Sequence, residues 1–506
     1  MRRYNPEPLL RKASKAASLL MLITLLALLS LFWPVILAIL VLFVQISLCT
    51  FDMRVSRFRS AKQVLSPERP TYRNGSIVFS VHVPTHNEAP GLVIRTLSAL
   101  QSQASAPPYE VIIVDNNTSN PRLWGPVQAW SRDHPNFTFI HAEGVEGAKA
   151  GALNIALVKS RADATHVVTV DADYEVDVHF LACAALELSA CRADFIQFPQ
   201  AYRHSEIVGA GVATELADYF DRFARASSRA GAVLLTGTLS VISKKALVAA
   251  GGWPTRSSTE DAELGLRLNQ LERRGIYVEM PVGRGLLPLS LNSLSQQRHR
   301  WAAGNTRTLV LWLLDWMSGR AITSRRGLSG GSLIAAQLTA WVNFALPAVF
   351  VLTLGTAHQL YRQASAGEIT TALAVATLLL AGLTAVLPLL LVSRSRSAHM
   401  TTAICTRISL IPTSAVATMA GLCPGKQSFI VTPKSVSDSC RERQPSITSP
   451  STLGAILGAA LAVCGMTMGA QLSTVGGALL VIPWLTSFVP ARALRRYAGH
   501  VNAQEA

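Results

Sequence analysis

His166-Val167-Val168-Thr169-Val170-Asp171-Ala172-Asp173 is the stretch that decides the reading of this chain. Its first five residues are rich in β-branched side chains and read as a strand. Two carboxylates follow at i and i+2, so they leave the strand on one side and can share a divalent cation. Hard oxygen ligands suit Mg²⁺ or Mn²⁺; the plain alternative is an acidic turn that closes a strand. Working outward, residues 77–83, 110–114, 137–141 and 195–198 read as further strands, with helices over 91–103 and 148–159 between them. That alternation predicts an α/β domain with a mostly parallel sheet. In such sheets ligands bind beyond the carboxyl ends of the strands.

Three other clusters fall where that rule places chemistry. Val81-His82-Val83-Pro84-Thr85-His86-Asn87-Glu88 ends the first strand and Asp115 ends the next. Their acids and amides can hold a base and a ribose, or be ordinary strand-to-loop polar residues. Ser258-Thr259-Glu260-Asp261 opens a helix expected to run to about residue 274 and stop at Gly275. It reads either as a capping box or as a carboxylate poised to take a proton from an attacking hydroxyl. In Gln297-Arg298-His299-Arg300-Trp301, residues 297, 300 and 301 share a helix face. An Arg fork suits phosphate, and an indole offers a flat apolar face to a sugar ring. A basic helix with an interfacial tryptophan is the competing reading.

The 506 residues carry 46 Lys and Arg against 30 Asp and Glu, a net charge of +16, and half are hydrophobic. The basic residues cluster beside apolar runs instead of interleaving with aromatics, which argues for membrane topology and against a nucleic-acid surface. A basic face also draws an anionic substrate. Residues 18–51 are almost continuously apolar. One helix of that length would rise about 51 Å through a hydrocarbon core of about 30 Å, so a hairpin broken near Pro34 is expected. Arg2, Arg3, Arg11 and Lys12 precede the run, and Arg54, Arg57, Arg59 and Lys62 follow it, which puts both ends in the cytosol. The run is too long for a signal peptide and lacks a small-residue cleavage site.

Further hairpins are expected at 333–392 and 453–490, flanked by basic segments at 324–326, 394–396 and 492–496. The outcome is a cytosolic catalytic domain over 75–307 between about six spans of the inner cell membrane. Around these lie a basic N-terminus (1–17), an interfacial helix and linker (308–332), a second interfacial helix (400–422) and a cytosolic tail (491–506). The seven cysteines form no C-x-x-C or zinc spacing and read as reduced, mostly buried thiols.

Taken in order, these residues resemble the processive family 2 glycosyltransferases of the cellulose synthase superfamily. The match takes in Thr85-His86-Asn87-Glu88, Asp115, Lys149-Ala150-Gly151-Ala152-Leu153-Asn154, Asp171 and Asp173, Thr259-Glu260-Asp261, and Gln297 with Arg300-Trp301. Phe429-Ile430-Val431-Thr432-Pro433-Lys434 looks like the family's gating-loop pattern, within 423–440. The resemblance implies a GT-A domain inserted between transmembrane helical hairpins, a UDP-sugar donor (UDP-glucose first), inversion and a β-linked product. It implies that Thr85, Glu88 and Asp115 contact uridine, with Lys149 near the donor. Asp171 and Asp173 would serve the diphosphate and a Mg²⁺ or Mn²⁺ ion, and Asp261, beside Glu260, would be the base. Gln297 and Arg300 would hold the pyrophosphate, while Trp301, Gly237 and Thr238 would face the acceptor. Phe429, Val431, Thr432 and Lys434 would close over the nucleotide.

The implied partners are the growing polysaccharide, extruded through the protein's own channel, the lipid bilayer and an accessory export subunit, with no nucleic acid. Asn116 stands where many relatives carry a second acid, and His86 where they carry tyrosine. Only a short basic tail follows the last expected span, so no cyclic-di-GMP-binding PilZ domain is expected and cellulose yields weight to another β-glucan. The rival readings are a transferase that glycosylates a lipid, a silent scaffold subunit, and a transporter, for which the spans offer almost no charged residues.

Overall fold

The expected strands fall into one twisted sheet whose register places polar residues side by side at its carboxyl edge. β1 (Phe79–Thr85), β2 (Tyr109–Asn116) and β3 (Phe137–Ala142) run parallel, with Thr85 opposite Asp115 and Asp115 opposite His141. β4 (His166–Thr169) pairs parallel to the other side of β1. The protein is seen in a computed structural model, which describes residues 34–57, 77–318, 327–342, 397–423, 449–469 and 471–505, with isolated positions between 376 and 390.

The sheet has seven strands in the order β3-β2-β1-β4-β8-β6-β9, with β6 at Phe195–Gln197, β8 at Ser240–Ser243 and β9 at Gly275–Tyr277. β8 runs antiparallel to both β4 and β6, with Thr169 opposite Ser240. That reversal carries the loop entering β8, with Gly237 and Thr238, up to the carboxylates leaving β4. A second sheet joins β5 (Glu175–Val176), β10 (Gly283–Gly285) and β7 (Ala201–Tyr202). Alternating residues of β1, Phe79, Val81 and Val83, are fully buried and pack with Leu97 and Leu100 of the helix Pro90–Gln101. Truncating such a leucine to alanine costs about 2–5 kcal/mol.

The helix carrying Gln297 to Trp301 runs unbroken over Leu291–Met317, so the segment expected to turn interfacial at 308 continues it through 317. Residues 400–422 form two helices, Ser397–Ser409 and Ile411–Leu422, bent by 40°. Arg407 on the first is buried, not lipid-facing. Its guanidinium meets Glu215 at 3.1 Å and Asp218 at 2.8 Å on the helix Ala210–Tyr219. Asp218 also binds Arg222 at 2.6 Å, and Glu215 binds Arg298 at 2.6 Å. This buried ion network ties the 397–409 helix to the α/β domain, because a buried charge must be paired. Burial would raise Asp218, but Arg222 and Arg407 hold its carboxyl well below the usual range.

The expectation of about six spans is corrected among the described residues. There one helix, Gly476–Gln504, is long and apolar enough to cross a membrane, or two if the bent pair counts as one span. Hydropathy counts residues without knowing where a helix stops. Pro450–Thr467 has 18 residues and rises about 27 Å, short of the core thickness. It packs on Gln471–Glu505 so closely that a Cβ on Gly458 would meet the Gly477 carbonyl at 2.5 Å. The expected tail beyond 490 continues that helix, with Leu494, Tyr497 and Val501 buried against the catalytic domain. The first hairpin is described only as the helix Pro34–Arg57, on which Ile36, Leu40 and Phe43 are exposed. Residues 1–33, 343–375 and 424–448, with most of the middle hairpin and the 429–434 motif, lie outside the described residues. Among the described residues the thiols are less buried than expected: Cys183, Cys191, Cys405 and Cys464 are half-buried and Cys423 is exposed.

Candidate active site

The carboxyl ends of β1, β2 and β4 open into a cleft of about 360 Å³. Its wall brings together residues more than 200 positions apart: Thr85, Glu88, Lys149, Asp171, Asp173, Gly237, Glu260, Asp261, Gln297, Arg300 and Trp301. Two expected residues stand behind the wall. Asp115 is buried, accepting from Thr85 Oγ1 at 3.1 Å and Thr118 Oγ1 at 2.8 Å while its other oxygen lies 2.8 Å from His141 Nδ1. It braces the loops that carry Thr85 and Glu88. Thr238 is also buried, and its hydroxyl oxygen accepts the Asp171 N–H at 3.0 Å. His82, from the same first motif, is a core residue. Burial, then Lys244, lowers its imidazole to about 3, and Nε2 lies 2.9 Å from Ser160 Oγ.

The cleft has a cationic hinge. Lys149 rides in the first turn of the helix Ala148–Lys159. Its Nζ donates to Asp171 Oδ1 at 2.5 Å and to the Gly237 carbonyl at 2.8 Å. Burial works against its charge, yet Asp171, then Glu260 and Asp261, hold the ammonium above its ordinary value. Gly237 is a glycine for a local reason. Its φ is +83°, and a Cβ there would stand 2.7 Å from Asp261 Oδ2 and 3.3 Å from Lys149 Nζ.

Asp261 lies in the first turn of the helix Glu260–Gln270. The N-cap position falls on Thr259, which makes no side-chain cap bond; Ser258 Oγ donates to the Arg300 carbonyl at 3.2 Å, and Asp261 Oδ1 accepts the Ala262 N–H at 2.8 Å. Burial and the adjacent Glu260 carboxylate push the Asp261 carboxyl up to about 7, against the pull of Lys149. A base poised near neutrality is what proton abstraction from a hydroxyl needs. Beside Asp261 opens a smaller apolar recess lined by Tyr219, Leu235, Ala262, Trp301 and Trp341. Trp301 leans on Trp341 at 5.4 Å, and Trp341 stacks on Tyr219 at 5.6 Å.

Asp171 and Asp173 supply two hard oxygen donors at one lip of the cleft, and no third His, Cys, Asp or Glu joins them among the described residues. That set fits a magnesium-like cation that keeps few protein ligands and shares itself with substrate phosphates. Gln297 Oε1 and Thr259 Oγ1 are buried at the cleft with no hydrogen-bond partner among the described residues, which marks an incomplete polar site. Gln200, Tyr202 and Thr236 also line the cleft and went unread in the sequence. β7 has two residues, too few for a periodicity to register.

Residues 166–419, half of the chain, match Glycosyl transferase family group 2, and residues 80–248 match Glycosyl transferase family 2. The chain belongs to glycosyl transferase family group 2. Within that family setting, it is 26% identical over 259 residues to a beta-monoglucosyldiacylglycerol synthase of Synechocystis sp., covering 50% of this chain and 52% of that protein. It is 27% identical over 261 residues to glucomannan 4-beta-mannosyltransferase 7 of Arabidopsis thaliana, covering 48% and 44%. Over 218 residues it is 28% identical to a poly-beta-1,6-N-acetyl-D-glucosamine synthase of Staphylococcus epidermidis, covering 42% and 52%. The chain thus spans about half the length of these relatives. A mannosyltransferase of Pyrobaculum calidifontis, solved with GDP-Man and Mn²⁺, superposes with a TM-score of 0.51 at 19% identity, covering 76% of this chain and 98% of that one. The shared fold is the GT-A-like α/β arrangement.

Proposed function

We propose that the protein is a membrane-associated, inverting glycosyltransferase that moves a sugar, glucose first, from a UDP-sugar onto the hydroxyl of a growing β-linked polysaccharide. The observation that carries this reading is Asp261, a carboxyl poised near pH 7 between the Lys149–Asp171 pair and the apolar recess beside Trp301. Thr85 and Glu88, braced by Asp115, receive the base and ribose. Lys149, Gln297 and Arg300 surround the diphosphate, and Arg300 opposes the charge that develops on it.

Asp261 accepts the proton of the acceptor hydroxyl as that oxygen bonds to the anomeric carbon. The bond from that carbon to the diphosphate oxygen breaks, its electron pair leaves with UDP, and a single displacement inverts the centre. Asp171 and Asp173 would hold Mg²⁺ or Mn²⁺, which neutralises diphosphate charge when bound. Trp301 and Gly237 line the acceptor side of the cleft and position the acceptor sugar, while Thr238 supports Asp171 from behind the wall. The 429–434 motif is assigned by resemblance to a loop that closes over the nucleotide, and exposed apolar helices such as Pro34–Arg57 support the membrane setting.

A second reading replaces the polymer by a lipid acceptor. The apolar recess at Asp261 favours it, as does similarity to a glucolipid synthase. Purified protein in detergent, given UDP-glucose and Mn²⁺ with diacylglycerol or an oligoglucan, separates the two. Glycanase-sensitive polymer supports the first reading, and a solvent-extractable glucolipid supports the second. Asp261→Asn should abolish transfer while sparing UDP binding; retained turnover would sink the base assignment.

A further inference from the structure

One phenol connects the C-terminal helix to the carboxylates of the cleft. Tyr497, on Gln471–Glu505, is fully buried among Tyr202, Leu287, Leu494 and Val501. Its hydroxyl donates to the Arg203 carbonyl at 3.0 Å and accepts the Leu287 N–H at 3.2 Å. The preceding N–H, that of Leu286, donates to Asp173 Oδ2 at 3.3 Å. Arg203 in turn pairs with Glu175, two residues beyond Asp173.

The strands explain why one hydroxyl reaches so far. β10 lies between β5 and β7, with Arg284 opposite both Glu175 and Ala201. Leu286 and Leu287 leave β10, and Arg203 leaves β7. The Tyr497 hydroxyl therefore ties two strand exits together at the point where one of them holds Asp173. Phenylalanine would fill the same space, but it would leave a buried N–H without its acceptor, the costly half of a lost hydrogen bond. Packing alone therefore does not account for tyrosine.

We propose that Tyr497 is a positioning residue for Asp173, acting through the Leu286–Leu287 backbone. The helix that qualifies as a membrane span is then a working part of the diphosphate end of the cleft. The proposal rests on reading Asp173 as a ligand for the cation and diphosphate, as above. Outer contacts that orient a ligating carboxylate typically change metal affinity by about 10-fold or more when lost.

The test uses the full chain in detergent, with UDP present and Mn²⁺ titrated by calorimetry, beside kcat and donor KM. Tyr497→Phe should raise the Mn²⁺ Kd about 10-fold. Leu494→Ala, which removes packing from the same helix and leaves every one of these hydrogen bonds in place, should lower the Tm and leave the Mn²⁺ Kd unchanged. An unchanged Kd in Tyr497→Phe overturns the proposal, and so does an equal loss in Leu494→Ala, which would show packing alone at work. If the wild-type chain binds UDP but no Mn²⁺, the reading of Asp173 falls and the proposal falls with it.

Discussion

The Asp261 carboxyl, pushed up to about 7 by burial and Glu260, makes the pH dependence of transfer the sharpest test of the mechanism. The base acts as carboxylate, so turnover at saturating donor should rise with pH. About one-tenth of the carboxyl is ionised a unit below its midpoint and about nine-tenths a unit above, so the rate should climb about tenfold from pH 6 to pH 8. Lys149 Nζ and Asp261 Oδ2 lie within about 6 Å of each other, since both crowd the position of a Gly237 Cβ. At that distance, with an effective dielectric near 20, their attraction is about 3 kcal/mol, or roughly 2 pKa units. Lys149→Met should therefore move the limb up toward about pH 9. Glu260→Gln, which removes the repelling carboxylate, should move it below 7. The assay is UDP release across pH 5.5 to about 9.5, with each variant held at saturating donor so that lost affinity does not masquerade as a shifted limb. A limb that stays put in both variants would refute the assignment of that ionisation to Asp261.

Two other outcomes follow from the same geometry. Gly237→Ala, at φ +83° and with its Cβ 2.7 Å from Asp261 Oδ2, should cost about 1–2 kcal/mol of backbone strain. It should also lower kcat more than it raises donor KM, as read by steady-state kinetics and thermal unfolding. Arg407→Leu strips a partner from buried Glu215 and Asp218, which should destabilise the chain by about 3–5 kcal/mol near neutral pH. Because Asp218 is held below its ordinary carboxyl range, its contribution is present above about pH 4 and lost as acid titrates it. The deficit measured by denaturant unfolding should therefore shrink in acid.

Much of the catalytic domain was legible before any coordinates. Val111–Val114 is buried on both faces of a parallel sheet and stands out as a continuous apolar run, while Phe79, Val81 and Val83 alternate with buried Ser80 and His82, and Val167-Val168-Thr169 is β-branched throughout. The acids that follow them mark the functional edge. Asp171 and Asp261 could be named as candidates from their places just after a strand and at a helix start, Arg300 from the helix face it shares with Gln297 and Trp301, and Lys149 from the family resemblance alone. Helix ends were less visible: the residue types at 258–261 allow either a capping box or a catalytic carboxylate, and only the fold shows Thr259 at the cap without a side-chain bond and Asp261 accepting the Ala262 N–H at the cleft.

What the sequence determined alone was local: which segments form strands, where the polar residues break the apolar runs, and a family likeness carried by motifs in order. Only the tertiary structure decided what those residues do to one another. The antiparallel β8 brings Gly237 and Thr238 to Asp171, and the 397–409 helix enters the catalytic domain on Arg407. The 491–505 segment, which reads as a basic tail, is a helix with one buried face, from which Tyr497 reaches the strand exit beside Asp173. These are contacts between residues up to about 300 positions apart. Periodicity and propensity act over a turn or two, whereas the closure of such contacts is set by burial and hydrogen-bond satisfaction in the folded chain.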